Sequence, residues 1–188
     1  MTEPEPGAQP AGSADLLEKW LLQCRRANVA HLRATDGLTW RNYGLGVLTA
    51  VLSTVVGSSV YAALQSDTAS GVQFAVASLS VIAAALAAIQ NILRYGTRAE
   101  KHRRATRDYG NAMRWIAEVA AATPPASDLK QTIDRIRKRL DEIDLEAPNV
   151  PADIWVWAVH AVDVERKHPG TDASTVDRYH WPASLWHR

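Results

Sequence analysis

The sequence predicts an all-α membrane protein, a two-helix transmembrane hairpin with cytoplasmic helical extensions that assembles as a homo-oligomeric bundle. Three observations carry that expectation. Residues 44–64, GLGVLTAVLSTVVGSSVYAAL, hold no charged side chain over 21 positions, and residues 70–93, SGVQFAVASLSVIAAALAAIQNIL, hold none over 24. At a helical rise of about 1.5 Å per residue the runs reach roughly 32 and 36 Å, against a hydrocarbon core of about 30 Å, so each is long enough to span with some tilt. Lys and Arg crowd the outer flanks of the pair and are missing from the connection 65–69, whose one charge is Asp67. By the positive-inside rule the flanks face the cytoplasm and the connection lies outside.

Whole-chain averages conceal this pattern. The 188 residues are 47% hydrophobic and 22% charged with a net charge of +1, values that match a soluble domain only because two opposite regions are averaged together. The single cysteine, Cys24, excludes a disulfide framework and any multi-cysteine metal centre within one chain. A charge of +1 lacks the basic excess of a nucleic-acid binder, and neither a nucleic-acid partner nor a cofactor is expected.

Residues 1–13, with Pro4, Pro6, Pro10, Gly7 and Gly12, are expected to be a disordered N-terminus. An amphipathic cytoplasmic helix follows over 14–42, opened by the capping-box spacing Asp15-Leu-Leu-Glu18. Leu17, Trp20 or Leu21, Cys24, Ala27 and His31 recur every three or four residues along its apolar face, and Asp36-Gly37 predicts a bend or an interruption before the membrane. Cys24 and His31 share a face as a nucleophile and its base would, but no third orienting group or oxyanion donor accompanies them, so core packing is the expectation.

The first span is placed at 43–64, edged by Trp40, Tyr43 and Tyr61 at interfacial depth, with Ser53 and Gly57 as a small-residue pair for helix packing. A signal peptide would not begin after more than forty residues and be followed by a second apolar run. A pair of buried helices in a soluble bundle would keep polar residues along one face of each. After the extracytoplasmic loop 65–69 comes the second span, 70–93. Along it Gln73, Ala77, Ser80, Ala84, Ala87 and Asn91 repeat at spacings of 4, 3, 4, 3 and 4. Such a seam is either a tight dry helix interface or the wall of a water-filled pore. The carboxamides at its two ends, which need hydrogen-bond partners within a span, draw the reading toward the pore. Two spans cannot enclose a conduit, so a pore requires several copies.

A cytoplasmic continuation helix is expected over 94–123, uninterrupted by proline until Pro124-Pro125, with Gly96 as a hinge at the membrane boundary. Arg94, Arg98, Lys101, Arg103, Arg104 and Arg107 form a basic collar at the membrane surface, matched by Lys19, Arg25, Arg26, Arg33 and Arg41 before the first span. Such side chains also snorkel and attract anionic lipid. Ser127 or Asp128 can cap a helix over 127–146, in which Leu129, Ile133, Ile136, Leu140 and Ile143 follow heptad spacing. Two heptads do not hold alone, so this cytoplasmic assembly seam must dock on the other helices or on a neighbouring subunit. A short apolar segment, 150–164, opens at Pro151-Ala-Asp-Ile-Trp-Val-Trp and leads into a Trp/His-rich tail, 165–188. His160, Glu165 and His168 lack the spacing of a helical metal-ligand pair, whereas Trp181 and Trp186 suit a contact surface.

At four places the chain resembles the SLATT domain family. They are Gly57-Ser58-Ser59-Val60-Tyr61 and Leu86-Ala87-Ala88-Ile89-Gln90-Asn91 at the ends of the two spans, Arg98-Ala99-Glu100-Lys101-His102-Arg103 with Tyr109 beyond it, and Glu146-Ala147-Pro148-Asn149-Val150-Pro151. The chain departs from the family at Met113-Arg114-Trp115-Ile116, where consecutive charged residues are expected. The resemblance implies a two-transmembrane effector of bacterial antiviral or conflict systems, in the inner membrane with both termini cytoplasmic, forming pores on a nucleotide signal. It brings no catalytic residues. Spans, helices and tail take up these residues without a phosphate-binding glycine loop, so the trigger is expected to come from a separate nucleotide-sensing or nucleotide-synthesising protein or to act directly on the cytoplasmic helices. The alternative is a non-conducting membrane scaffold that recruits a cytoplasmic partner through the Trp-rich tail.

Overall fold

The computed structural model describes residues 11–63, 70–122 and 125–175, and every regular element among them is helical. The elements are α1 (Ala11–Ala63), α2 (Ser70–Leu93), α3 (Tyr95–Ala122), α4 (Ala126–Glu146), α5 (Ala152–Lys167) and a 3₁₀ turn, η1 (Ala173–Thr175). The expected loop 65–69 and most of the N-terminus and tail, with Trp181 and Trp186, lie outside the described residues.

Three boundaries differ from expectation. The helix α1 runs without a break through Asp36-Gly37, and it begins at Ala11, ahead of the capping box. An isolated glycine costs a helix only about 1 kcal/mol, less than the neighbouring turns recover by packing. The second break is at Arg94, whose φ of 46° is left-handed, and not at Gly96. Arg94 N–H donates to the Gln90 carbonyl at 3.2 Å, and its own carbonyl accepts from Arg98 N–H at 3.1 Å, so this one residue closes α2 and opens α3. The third is the start of α4, capped by Pro125 and not by Ser127 or Asp128. The Pro125 carbonyl accepts from the Asp128 and Leu129 amides. The 150–164 segment is helical as α5 and continues to Lys167.

The chain divides into two compact units, residues 36–99 and the remainder on either side. In the unit made by the flanks, Leu17, Cys24 and Ala27 of α1 meet Ala105, Tyr109, Ala112, Ile116 and Val119 of α3, together with Leu129, Ile136 and Ile143 of α4. Ile133 and Leu140 pack against this core half-buried. The heptad seam is therefore covered by the chain's own α1 and α3, the first of the two partners its spacing allowed. A second cluster sets Val29 and Ala30 of α1 against Trp157, Ala158, Ala161 and Val162 of α5 and Ala173 of η1.

Ion pairs fasten α5 to α1. The Arg25 guanidinium donates twice to Glu165, from Nε at 3.0 Å and from Nη2 at 2.6 Å, a two-pronged geometry that fixes orientation as well as distance. Arg26 reaches Asp163 at 2.9 Å, and the Arg33 guanidinium lies 5.2 Å from the centre of the Trp157 ring.

Within the other unit, residues 36–63 of α1 and α2 run antiparallel. The Cβ position of Gly46 lies 3.6 Å from Gln90 Nε2, and that of Gly96 lies 3.7 Å from Asn42 Oδ1. Half-buried residues recur at Leu45, Thr49, Leu52 and Val56 on α1 and at Val76, Leu79, Leu86 and Gln90 around the buried Ala83 on α2, the three-and-four spacing of helices in contact.

Candidate functional site

Around its axis α2 presents three different sectors. The first, centred on Ala83, faces α1. Large apolar side chains form the second: Phe74, Val81, Ile82, Ile89 and Ile92 are exposed, Phe74 by 77% and Ile92 by 76%. Among the described residues one helix, Phe74–Ala122, is long and apolar enough to cross a membrane, and only 6% of its apolar window is buried. A soluble core helix would have such residues covered. On α1, Val47, Leu48, Val51 and Val55 are exposed in the same way.

The third sector is the small-residue seam. Ala77, Ala84, Ala87 and Asn91 are exposed and Ser80 is half-buried, while Gln73 lies in α2 with its side chain outside the description. Ala84, Ala87 and Asn91 each follow a residue of the α1-facing row, which puts them about 100° further round the helix. The seam is therefore not the contact between the chain's own two helices. Ser53 and Gly57 are likewise exposed on α1 and do not join that contact.

Hydroxyl groups in this unit bond to their own helix. Thr54, Ser58, Ser59, Ser78 and Ser80 each donate to the carbonyl four residues back, at 2.8 to 2.9 Å. This back-bonding satisfies a hydroxyl without water, as a hydrocarbon environment demands. Thr49 Oγ1 is buried and has no hydrogen-bond partner among the described residues.

The collar separates into two groups. Arg103 and Arg107 both bind Glu100, at 3.4 and 2.9 Å, and Arg104 lies between Asp108 at 3.9 Å and Glu146 at 3.6 Å. Arg94, Arg98 and Lys101 are exposed and form none of the ion pairs among the described residues, and Arg41 on α1 is in the same condition.

A buried polar pair escaped the sequence reading. The Nδ1 atoms of His31 and His102 stand 2.9 Å apart, with His31 only 3% and His102 only 6% exposed. One Nδ1 must carry the proton and donate to the other, and where both rings are neutral they take opposite tautomers. Burial, then the neighbouring His102, pushes the His31 pKa down to about 4, and burial lowers that of His102. Tyr109 stacks on His31 at 5.6 Å between ring centres and donates its hydroxyl to Asp144 Oδ1 at 2.5 Å. Cys24 is buried in the same core, and burial followed by the charge of Asp144 pushes its thiol up to about 11. A thiol so disposed is a packing group and not a nucleophile. His31 pairs with His102, 71 positions away, a partner that no local spacing in the sequence indicates. Of the imagined metal set, Glu165 is held by Arg25, and no group of three ligands suited to a metal occurs among the described residues.

Fold and surface together define an all-α protein with an apolar helix of bilayer length left uncovered. Comparison with known proteins finds no matching family model, no matching curated protein and no matching solved structure.

Proposed function

We propose that the chain is an oligomeric ion channel or pore-forming membrane effector. In this reading residues 44–64 and 70–93 form a transmembrane hairpin, both flanks are cytoplasmic, and the second span lines a conduit shared by several copies. The observation that carries it is the three-way division of α2. One sector meets α1, one offers bulky apolar side chains suited to lipid, and the third, running through Ala77, Ala84, Ala87 and Asn91, is small, partly polar and uncovered among the described residues. A second copy or a water-filled lumen would cover it, and the terminal carboxamide favours the lumen. The resemblance to SLATT domains adds the setting: the inner membrane of a bacterium, antiviral defence, and a trigger delivered by a separate nucleotide-sensing or nucleotide-synthesising protein.

Planar-bilayer recording of the purified protein tests the reading, with discrete conductance steps as the expected result. Ala84→Trp places an indole in the seam and is expected to reduce unitary current severalfold while the oligomer persists on gel filtration. A silent bilayer over oligomeric preparations overturns the proposal, and loss of the oligomer with unchanged unitary current makes the seam a dry interface. One surface favours the second reading, a non-conducting scaffold: Trp155 and Val156 of α5 are 39% and 44% exposed and suit an apolar partner. Overexpression separates the two, since a pore depolarises the cell and a scaffold does not.

A further inference from the structure

We propose that Arg41, Arg94 and Arg98, with Trp40 and Tyr43, form a binding surface for the headgroup of an anionic phospholipid, a reading that rests on the membrane proposal above. The surface is built at one level of the antiparallel pair, where Gly96 and Asn42 come within van der Waals reach. That contact sets the α1 stretch carrying Trp40, Arg41 and Tyr43 level with the α2–α3 junction carrying Arg94 and Arg98. Trp40 is 75% exposed and Tyr43 67%, rings suited to headgroup depth, with the exposed apolar side chains of both helices on one side of them.

The charge pattern selects the ligand. Farther along α3 the chain supplies its own counter-charges, with Glu100 taking Arg103 and Arg107, and Asp108 and Glu146 taking Arg104. At the junction Arg41, Arg94 and Arg98 are exposed and have no acidic partner among the described ion pairs. Three guanidiniums bordering an apolar belt fit a ligand whose phosphate is anionic and whose tails remain in hydrocarbon. A zwitterionic headgroup would carry its own cation into the cluster. The left-handed backbone at Arg94 is a further sign, because a non-glycine residue in that region is strained and such strain gathers at functional positions.

The test uses the full chain reconstituted in phosphatidylcholine bilayers with trace spin-labelled lipid, either phosphatidylglycerol or phosphatidylcholine. Electron paramagnetic resonance gives the motionally restricted fraction of each. Wild type is expected to favour phosphatidylglycerol at least severalfold. Arg41→Gln, Arg98→Gln and Arg94→Gly, the last compatible with the left-handed backbone, are each expected to lower the preference about fivefold, the effect of one cation near an anionic surface. Arg104→Gln and Arg107→Gln are expected to leave it unchanged. Equal restriction of the two lipids, or equal losses from the Arg104 and Arg107 variants, overturns this proposal alone. Absence of any restricted lipid overturns the membrane reading as well.

Discussion

The facing imidazoles of His31 and His102 join α1 to α3 inside the core, where burial disfavours a charge on either ring. The folded-state pKa values lie below the ordinary 6.5, that of His31 at about 4, so on acidification the unfolded chain takes up protons first. Stability from the pair is complete above about pH 6.5 and is lost as the pH falls toward the His31 value of about 4. Urea unfolding of the full chain in detergent micelles, followed by Trp fluorescence, is expected to show a lower midpoint at pH 5 than at pH 7.5. His31→Leu combined with His102→Leu is expected to flatten that difference, and an undiminished slope in the double variant would assign the acid loss to other groups. Tyr109 does not compete in this window. Burial and its bond to Asp144 push the phenol further above its ordinary range, so it remains a neutral donor.

Among the elements, α4 joins sequence pattern to packing most directly. Its core residues Leu129, Ile136 and Ile143 are between 1% and 5% exposed, whereas Leu145, two positions beyond, is 88% exposed. Ile136→Ala is expected to cost about 2–5 kcal/mol through lost burial and the cavity left behind. Leu145→Ala should stay within about 0.5 kcal/mol, and the same urea experiment separates them. The heptad spacing made this seam legible in the sequence, because periodicity reports which face is apolar. It did not reveal what covers the face, since α1 and α3 lie far away along the chain. The three sectors of α2 were legible in part for the same reason: the Ala84 seam stands out as a row of small residues, but the separate row facing α1 required coordinates. Arg94 was not legible at all. Arginine carries no signal for a helix break, and the adjacent Gly96 drew the expectation two residues too far. Asp36-Gly37 does not interrupt α1, because a weak local preference yields to cooperative helix formation on either side of it.

At the scale of the whole molecule, two uncharged runs and a highly charged remainder average to a net charge of +1, so sidedness must come from the local distribution of charge. Arg41, Arg94 and Arg98 border the pair of runs, while residues 65–69 contain no Lys or Arg. Moving the basic flanks across the bilayer would take several guanidiniums through hydrocarbon, each at a cost of about 2.5–3.5 kcal/mol at the centre on the insertion scale. One orientation is therefore expected, with the connection outside and both flanks within. The native Cys24 supplies a silent background for a labelling test, because its thiol is 2% exposed and its pKa is pushed up to about 11. Ser66→Cys in intact spheroplasts is expected to react with a membrane-impermeant maleimide. Glu118→Cys, on an exposed position of α3, is expected to react only after lysis. The converse pattern would invert the topology. Reaction of neither residue before lysis and both after it would remove the crossing, and with it the hairpin on which the channel reading depends.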